Sequence, residues 1–276
     1  MTGVAGRWAS RVFGAMLVLP AVLIVGVLFV YPFFRSLASS FRTETGWGFQ
    51  NYKQIWELYR FDVLYTIWIG AASLAILLVF GILLGGFLRL RADYAIEFLF
   101  KIPLFIPFVV VGHAMRVFLA PNGTLNALLS WFGVVDLDHP PSLAYSSAGM
   151  IIALVWKNLS MALLLMMGAF RGVDNSYIEA ARNVGANALR IIFNILVPMA
   201  KGAIVVSAVL IFTSIIGNFS IPAMMGSAKG SQVLMIDLYY EIVYQHDYGV
   251  ANAIGVVAYL ISMGAAVYYL RMVTKQ

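Results

Sequence analysis

The sequence contains no cysteine, which excludes disulfides and thiolate metal sites and leaves the compartment undecided. Charge is scarce as well: Asp, Glu, Lys and Arg make up 11% of the 276 residues, against 62% hydrophobic residues, with a mean hydropathy of +0.89. A soluble domain of this length cannot cover its surface with so few charges, so the composition is that of a multispanning membrane protein whose partner is the lipid bilayer. The formal charge of +6 comes from 18 basic residues dispersed among apolar runs. They form no stripe or patch, nucleic acid is not expected as a partner, and loop bias in a membrane protein accounts for them. Also missing is any phosphate-cradling GxxxxGK[ST] loop, because Gly226-Ser227-Ala228-Lys229-Gly230-Ser231 lacks that order. His113, His139 and His246 lie in separate segments without HxxxH or HExxH spacing, so no metal site is expected. No nucleophile sits in a catalytic pattern, and no repeat or linker divides the chain, so residues 1–276 read as one transmembrane domain and not as an enzyme.

What is present is a series of long apolar runs. Arg7 and Arg11 precede a run from Val12 to Phe34, too long for a signal-peptide core, which predicts a retained first span closed by Tyr31-Pro32. A polar external loop follows to Arg60. Phe61–Leu88 predicts a second span and Phe98–Ala120 a third, kinked at Pro103 and Pro107. Ser142–Phe170 predicts the fourth span, Pro198–Ser220 the fifth and Val250–Leu270 the sixth. Between the last two, Gln232–Val243 is amphipathic at helical spacing, with Asp237 and Glu241 on one face, and predicts a short external or re-entrant helix. With the amino end inside, the inner loops and span ends collect Arg7, Arg11, Arg89, Arg91, Lys101, Arg171, Arg182, Arg190, Lys201, Arg271 and Lys275, whereas the outer loops hold Arg35, Arg42, Lys53, Arg60 and Lys229. That asymmetry predicts two cytoplasmic termini.

Between the fourth and fifth spans lies the polar stretch Ser176-Tyr177-Ile178-Glu179-Ala180-Ala181-Arg182-Asn183-Val184-Gly185. Ser176 and Glu179 fit a capping box, which predicts a short helix broken at Gly185 and a second helical segment from Arg190 leading toward Pro198. Glu179-Ala180-Ala181, Gly185 six positions after the glutamate, and Ile195 with Pro198 resemble the EAA loop of permease subunits from binding-protein-dependent ABC importers. Asn183, where an acidic residue is common, and Val197, in place of the usual leucine, depart from that pattern. The resemblance implies an all-α membrane protein of six transmembrane helices with the MetI-like permease fold, in which residues 1–60 supply the first span and external loop and residues 61–270 a permease core whose coupling loop is 174–197. It implies that Glu179, Ala180, Ala181, Gly185 and Pro198 shape the contact with a separate ATPase dimer. It further implies ATP and Mg on that partner and no cofactor in this chain, an extracytoplasmic solute-binding protein, and a second homologous permease or a second copy.

Polar groups inside the spans are the other candidates. Lys157 and Asn158 fall in the middle of the fourth span, where a lipid-facing lysine costs about 2.5–3.5 kcal/mol, so Lys157 is expected to face the interior, either at a cavity or bonded to a neighbouring carbonyl. His113 and Arg116 lie toward the outer end of the third span, and Asn218 and Ser220 lie where a break in the fifth is expected, a place that can expose backbone to a polar solute. The pattern Asn218-Phe219-Ser220-Ile221-Pro222 is similar to the branch handling spermidine/putrescine, iron and phosphonates, and a buried Lys157 favours a phosphonate-like or other anion over a polyamine. A sugar-type importer permease, or a six-span secondary transporter without an ATPase, is the alternative.

Overall fold

The computed structural model describes residues 4–43, 46–91, 93–226 and 232–274. Lys229 and Lys275, assigned above to an outer loop and the inner end, lie outside the described residues. Among the described residues the chain is helical apart from turns and a short hairpin, Arg42–Thr43 (β1) antiparallel to Gly46–Trp47 (β2). Its first rod consists of α1 (Val4–Val25), a π-turn (Gly26–Val30) and α2 (Tyr31–Ser40), and Phe13–Ser40 is long and apolar enough to cross a membrane. Contrary to expectation, Tyr31-Pro32 does not close this span. In the π-turn the Tyr31 N–H donates to the Gly26 carbonyl five residues back, and this wider turn accommodates the Pro32 ring that would collide with an α-helical carbonyl. The most apolar window of the rod has no residue buried within the chain. The α2 part is anchored by Ser36 Oγ donating to Asn252 Oδ1 at 2.5 Å and by Phe33 against Tyr259.

The predicted polar loop contains α3 (Gln50–Leu58), where the Asn51 carboxamide donates to the carbonyls of Ser40 and Arg42. The second span is α4 (Arg60–Leu90), which packs lengthwise on α8 (Ser147–Arg171), the fourth span. Glycines set that approach: a Cβ on Gly85 would stand 3.2 Å from the Met166 Cβ. The fourth span starts at Ser147, not Ser142, because Ser146 Oγ accepts from the Gly149 N–H and caps the helix there.

The third span is broken rather than kinked: α5 (Tyr94–Phe105) and α6 (Phe108–Phe118) meet at 102°. After α7 (Thr124–Trp131) and α8 come α9 (Asn175–Asn183), α10 (Ala188–Ile191), a second π-turn (Ile192–Leu196) and α11 (Val197–Met199). The chain then turns by 83° into α12 (Lys201–Ile216). The fifth span therefore begins at Lys201 and not at Pro198, since the π-turn carries helix past the proline and the bend falls at Ala200. It also ends at Ile216, earlier than Ser220, which opens α13 (Ser220–Met225). The expected helix near Gln232–Val243 is α14 (Leu234–Tyr240) continued by a third π-turn (Glu241–Gln245), and α15 (Tyr248–Thr274) is the last span. Among the described residues four helices are long and apolar enough to cross a membrane, or up to six spans when each bent pair counts as one. The main core runs through Ile69, Leu77, Leu154, Ile211 and Ile254, while a second core of Phe170, Ile178, Ile192 and Leu196 sits at the Arg89 end of α4.

Candidate functional site

The segment between α8 and α12 is built around α9. Its cap is Asp174, whose carboxylate accepts from the Ser176 N–H at 2.8 Å, and this hydrogen bond holds the acid below the usual carboxylate range. The expected Ser176/Glu179 capping box is thus displaced: Asp and Ser are both good caps, and the aspartate two residues earlier takes the position. At the other end the Gly185 N–H donates to the Arg182 carbonyl and the Ala186 N–H to the Ala181 carbonyl, with Gly185 at φ 77°. This paired closure needs a left-handed residue, so the expected break at Gly185 is present and its cause is the glycine backbone. Asn187 then caps α10 by accepting from the Arg190 N–H.

Ile178 is buried in the second core and Ala181 packs against it, whereas Tyr177, Glu179, Ala180 and Val184 are exposed, Val184 to 83%. The free side of this short helix thus carries the apolar side chains of Tyr177 and Val184. Pro198 does not touch this face; it lies in α11, where the preceding π-turn relieves its clash.

Two arginines unmarked as site residues by sequence hold α9 in place. Arg89, at the end of α4, donates through Nε to the Phe170 carbonyl at 3.0 Å, and through an Nη to the Val173 carbonyl at 2.9 Å and to Asn175 Oδ1 at 2.6 Å. Arg182 of α9 donates back to the Leu90 carbonyl at 2.8 Å. Each guanidinium satisfies carbonyls left open where a helix ends. Their signal in sequence was only charge near a span end, because the acceptors of Arg89 are more than eighty positions away.

The in-span polar residues resolve into separate places. Lys157 Nζ donates to the carbonyls of Pro103 at 2.7 Å, Leu104 at 3.4 Å and Ile106 at 2.5 Å, and lies 4.6 Å from the Phe108 ring centroid. Pro107 has no N–H to offer the Pro103 carbonyl, and the lysine supplies the missing donor. All three ammonium protons are engaged in the break of the third span, so the cavity role considered for Lys157 gives way to the structural one. Asn158 donates to the Leu154 carbonyl and accepts from Ser214 Oγ at 3.2 Å, joining the fourth span to the fifth. Asn218 is buried and its Oδ1 accepts from the Ile221 N–H, capping α13. The break at 217–219 is therefore as expected, but its polar side chain is spent on the backbone. Ser220 is half-buried at the start of α13. Arg116 donates to Tyr145 Oη and to the Met224 carbonyl, tying α6 to α13, and His113 is exposed on a groove shared with Trp156. Hence Arg116 adjoins α13, His113 opens onto the groove beside Ile152 and Trp156 of α8, and Lys157 and Asn158 lie elsewhere.

At the opposite end of α4 is a carboxylate cluster. Asp62 Oδ1 accepts from the Gln232 N–H at 2.7 Å and Thr66 Oγ1 from the Leu234 N–H at 2.9 Å, pinning the start of α14 to α4. Gln232 donates to Asp237 Oδ1 at 2.6 Å, and Tyr59 Oη donates to Glu241. Asp237 is 0% exposed and its Oδ2 has no partner; burial first, then the Asp62 and Glu241 charges, push it up to about 7. Burial, followed by the hydrogen bond to Glu241, pushes the Tyr59 hydroxyl up as well. Among the described residues no group of His, Cys, Asp and Glu is arranged to hold a metal ion.

Comparison with known proteins supplies the context for this geometry. The family described as binding-protein-dependent transport system inner membrane component matches residues 77–273. The sulfoquinovosyl glycerol transport system permease protein SmoG of Agrobacterium fabrum is 25% identical, covering 97% of this chain and 93% of that protein. The spermidine/putrescine transport system permease protein PotB of Escherichia coli is 27% identical, covering 75% of this chain and 80% of that protein. A putative 2-aminoethylphosphonate transport system permease protein, PhnU, of Salmonella typhimurium is 26% identical over 90% of this chain and 88% of its own length. In fold the chain is similar to a chain of a bacterial alginate ABC transporter crystallised with its alginate-bound periplasmic protein, at TM-score 0.76 and 18% identity, covering 99% of this chain and 97% of that one.

Proposed function

The chain belongs to the family of inner membrane components of binding-protein-dependent transport systems, and from that premise we propose that α9 is the coupling helix through which a separate ATPase dimer drives solute import. The observation that carries this reading is the capped, Gly185-terminated helix whose Tyr177 and Val184 face outward beside the residues Glu179, Ala180 and Ala181. Arg89, Arg171 and Arg182 gather at the same end of the molecule, which supports a cytoplasmic position for α9 and for both termini. The protein acts as a permease subunit of the bacterial inner membrane, paired with a homologous permease or a second copy, and receives solute from an extracytoplasmic binding protein. Hydrolysis of ATP belongs to the partner chain, and no cofactor is needed in this one.

The solute is a small polar molecule. The preference for an anion rested on Lys157, and that ammonium is engaged by three carbonyls, so charge at this position no longer selects among a phosphonate, a polyamine and a sugar. The sugar-type alternative gains from a relative named for sulfoquinovosyl glycerol that covers almost the whole chain. Identification of the ligand that copurifies with the binding protein separates these classes.

Reconstitution with the ATPase and the binding protein tests the coupling role. Gly185→Val places a β-branched residue at φ 77°, and it is expected to abolish uptake and solute-stimulated hydrolysis while membrane insertion persists. Survival of both activities removes α9 as the coupling element. Reporter fusions after Gln276 and within residues 121–139 are expected on opposite sides of the membrane.

A further inference from the structure

The helix α4 touches both ends of the machinery. At one end Arg89 engages Phe170, Val173 and Asn175, and Arg182 returns to Leu90, so both ends of α9 are tied to the last turn of α4. Gly86 deepens the attachment: a Cβ there would stand 2.7 Å from Ile192 Cγ1, so the π-turn after α9 sits directly on the α4 backbone. The other exit from this region is not straight: the chain bends 83° at Ala200 before entering α12. At its far end α4 holds Gln232 through Asp62 and Leu234 through Thr66. Its 31 residues form one helix, on the order of 45 Å long, without an internal proline.

We propose that Arg89 and Arg182 are positioning residues that lock the coupling helix to α4, and that α4 carries the displacement of that helix to the Gln232–Tyr240 segment on the opposite side of the membrane. This rests on the reading of α9 as the ATPase contact. The two arginines differ in demand. Arg89 serves three acceptors at once from a planar fork, which a lysine ammonium cannot reproduce, whereas Arg182 serves one carbonyl, which a lysine can. The difference is one of geometry, so charge alone does not predict it.

The test uses the chain assembled with its ATPase in proteoliposomes. Since the sequence has no cysteine, single reporter cysteines introduce no competing thiol. Val184→Cys reports docking by cross-linking to the ATPase. Tyr239→Cys, at a position 41% exposed, reports the far segment by its rate of maleimide labelling. The labelling rate is expected to change several-fold between the nucleotide-free complex and the complex trapped with MgATP and vanadate. Arg89→Ala and Arg89→Lys are expected to erase that change while the cross-link persists, and Arg182→Lys to preserve it where Arg182→Ala weakens it. Should Arg89→Ala fail to assemble, Thr66→Val removes the hydroxyl that accepts from Leu234 at the far end, and it is expected to reduce the response with docking and basal hydrolysis intact. An intact cross-link with an unaltered labelling change in Arg89→Ala or in Thr66→Val overturns transmission through α4 alone. Absence of the cross-link without any arginine substitution overturns the reading of α9, and this inference with it.

Discussion

The two ends of α4 are held by opposite chemistry. At the Arg89 end, guanidinium groups donate into carbonyls exposed where α4 and α8 stop. At the Asp62 end, carboxylate and hydroxyl oxygens accept from backbone N–H groups where α14 starts. Helix polarity explains both, because open carbonyls attract cations and open N–H groups attract anions. The consequence differs between them. At the second end Asp62, Asp237 and Glu241 crowd together without an ion pair among the described residues. That end is therefore sensitive to protons through Asp237.

The most severe test of this contrast removes a cation. Lys157 belongs to the same class as Arg89, a donor to carbonyls freed by a helix break, and Lys157→Met leaves several buried carbonyls unpaired. A loss of about 3 kcal/mol is expected in the unfolding of the detergent-solubilised protein. A stability unchanged by this substitution would mean that water or a lipid headgroup reaches the break in place of the lysine.

A second test removes an anion. With its carboxyl raised to about 7, Asp237 holds a proton in the folded state over a range where the unfolded chain has released it. Stability is therefore full below the ordinary carboxyl range and falls as pH rises from about 4 toward about 7. Asp237→Asn is expected to flatten that part of the profile; an unaltered slope would place the titration on another group.

Packing provides a smaller effect. Gly86→Leu forces Ile192 away from α4 and is expected to cost about 2 kcal/mol, measurable by the same unfolding assay, whereas Gly168→Ala, with nothing within 4 Å of its Cβ position, is expected to gain about 0.5–1 kcal/mol. Gly185→Ala, at a left-handed backbone position open to solvent, is expected to cost about 1–2 kcal/mol.

How far these features can be read from residues alone varies with the range of the interaction. The break at Gly185, the interruption after the fifth span and the helix near Gln232–Val243 are local, and the predicted punctuation coincides with the structure. The first span extends beyond Tyr31-Pro32 because a π-turn, which leaves no residue signature here, absorbs the proline. Pro103 and Pro107 indicate a disturbed helix, but the depth of the break depends on a lysine fifty positions later that stabilises its open carbonyls. For the same reason Lys157 looked as suited to a solute as to a helix end. Asp174 displaced Ser176 as the cap through competition between two good candidates within one turn.

The π-turns have a further consequence. Each of the three, at Gly26–Val30, Ile192–Leu196 and Glu241–Gln245, accommodates one residue more than an α-helical path would. An extra residue rotates everything downstream by about 100° about the helix axis. In the second, this phase shift decides which side of the chain Leu196 and Val197 present when the helix reaches Ala200. Deleting Asn194 would leave a plain α-helix of good local geometry with every later side chain a quarter-turn or more out of phase. The protein thus stores angular information in a single surplus residue, and its length there is as constrained as its chemistry.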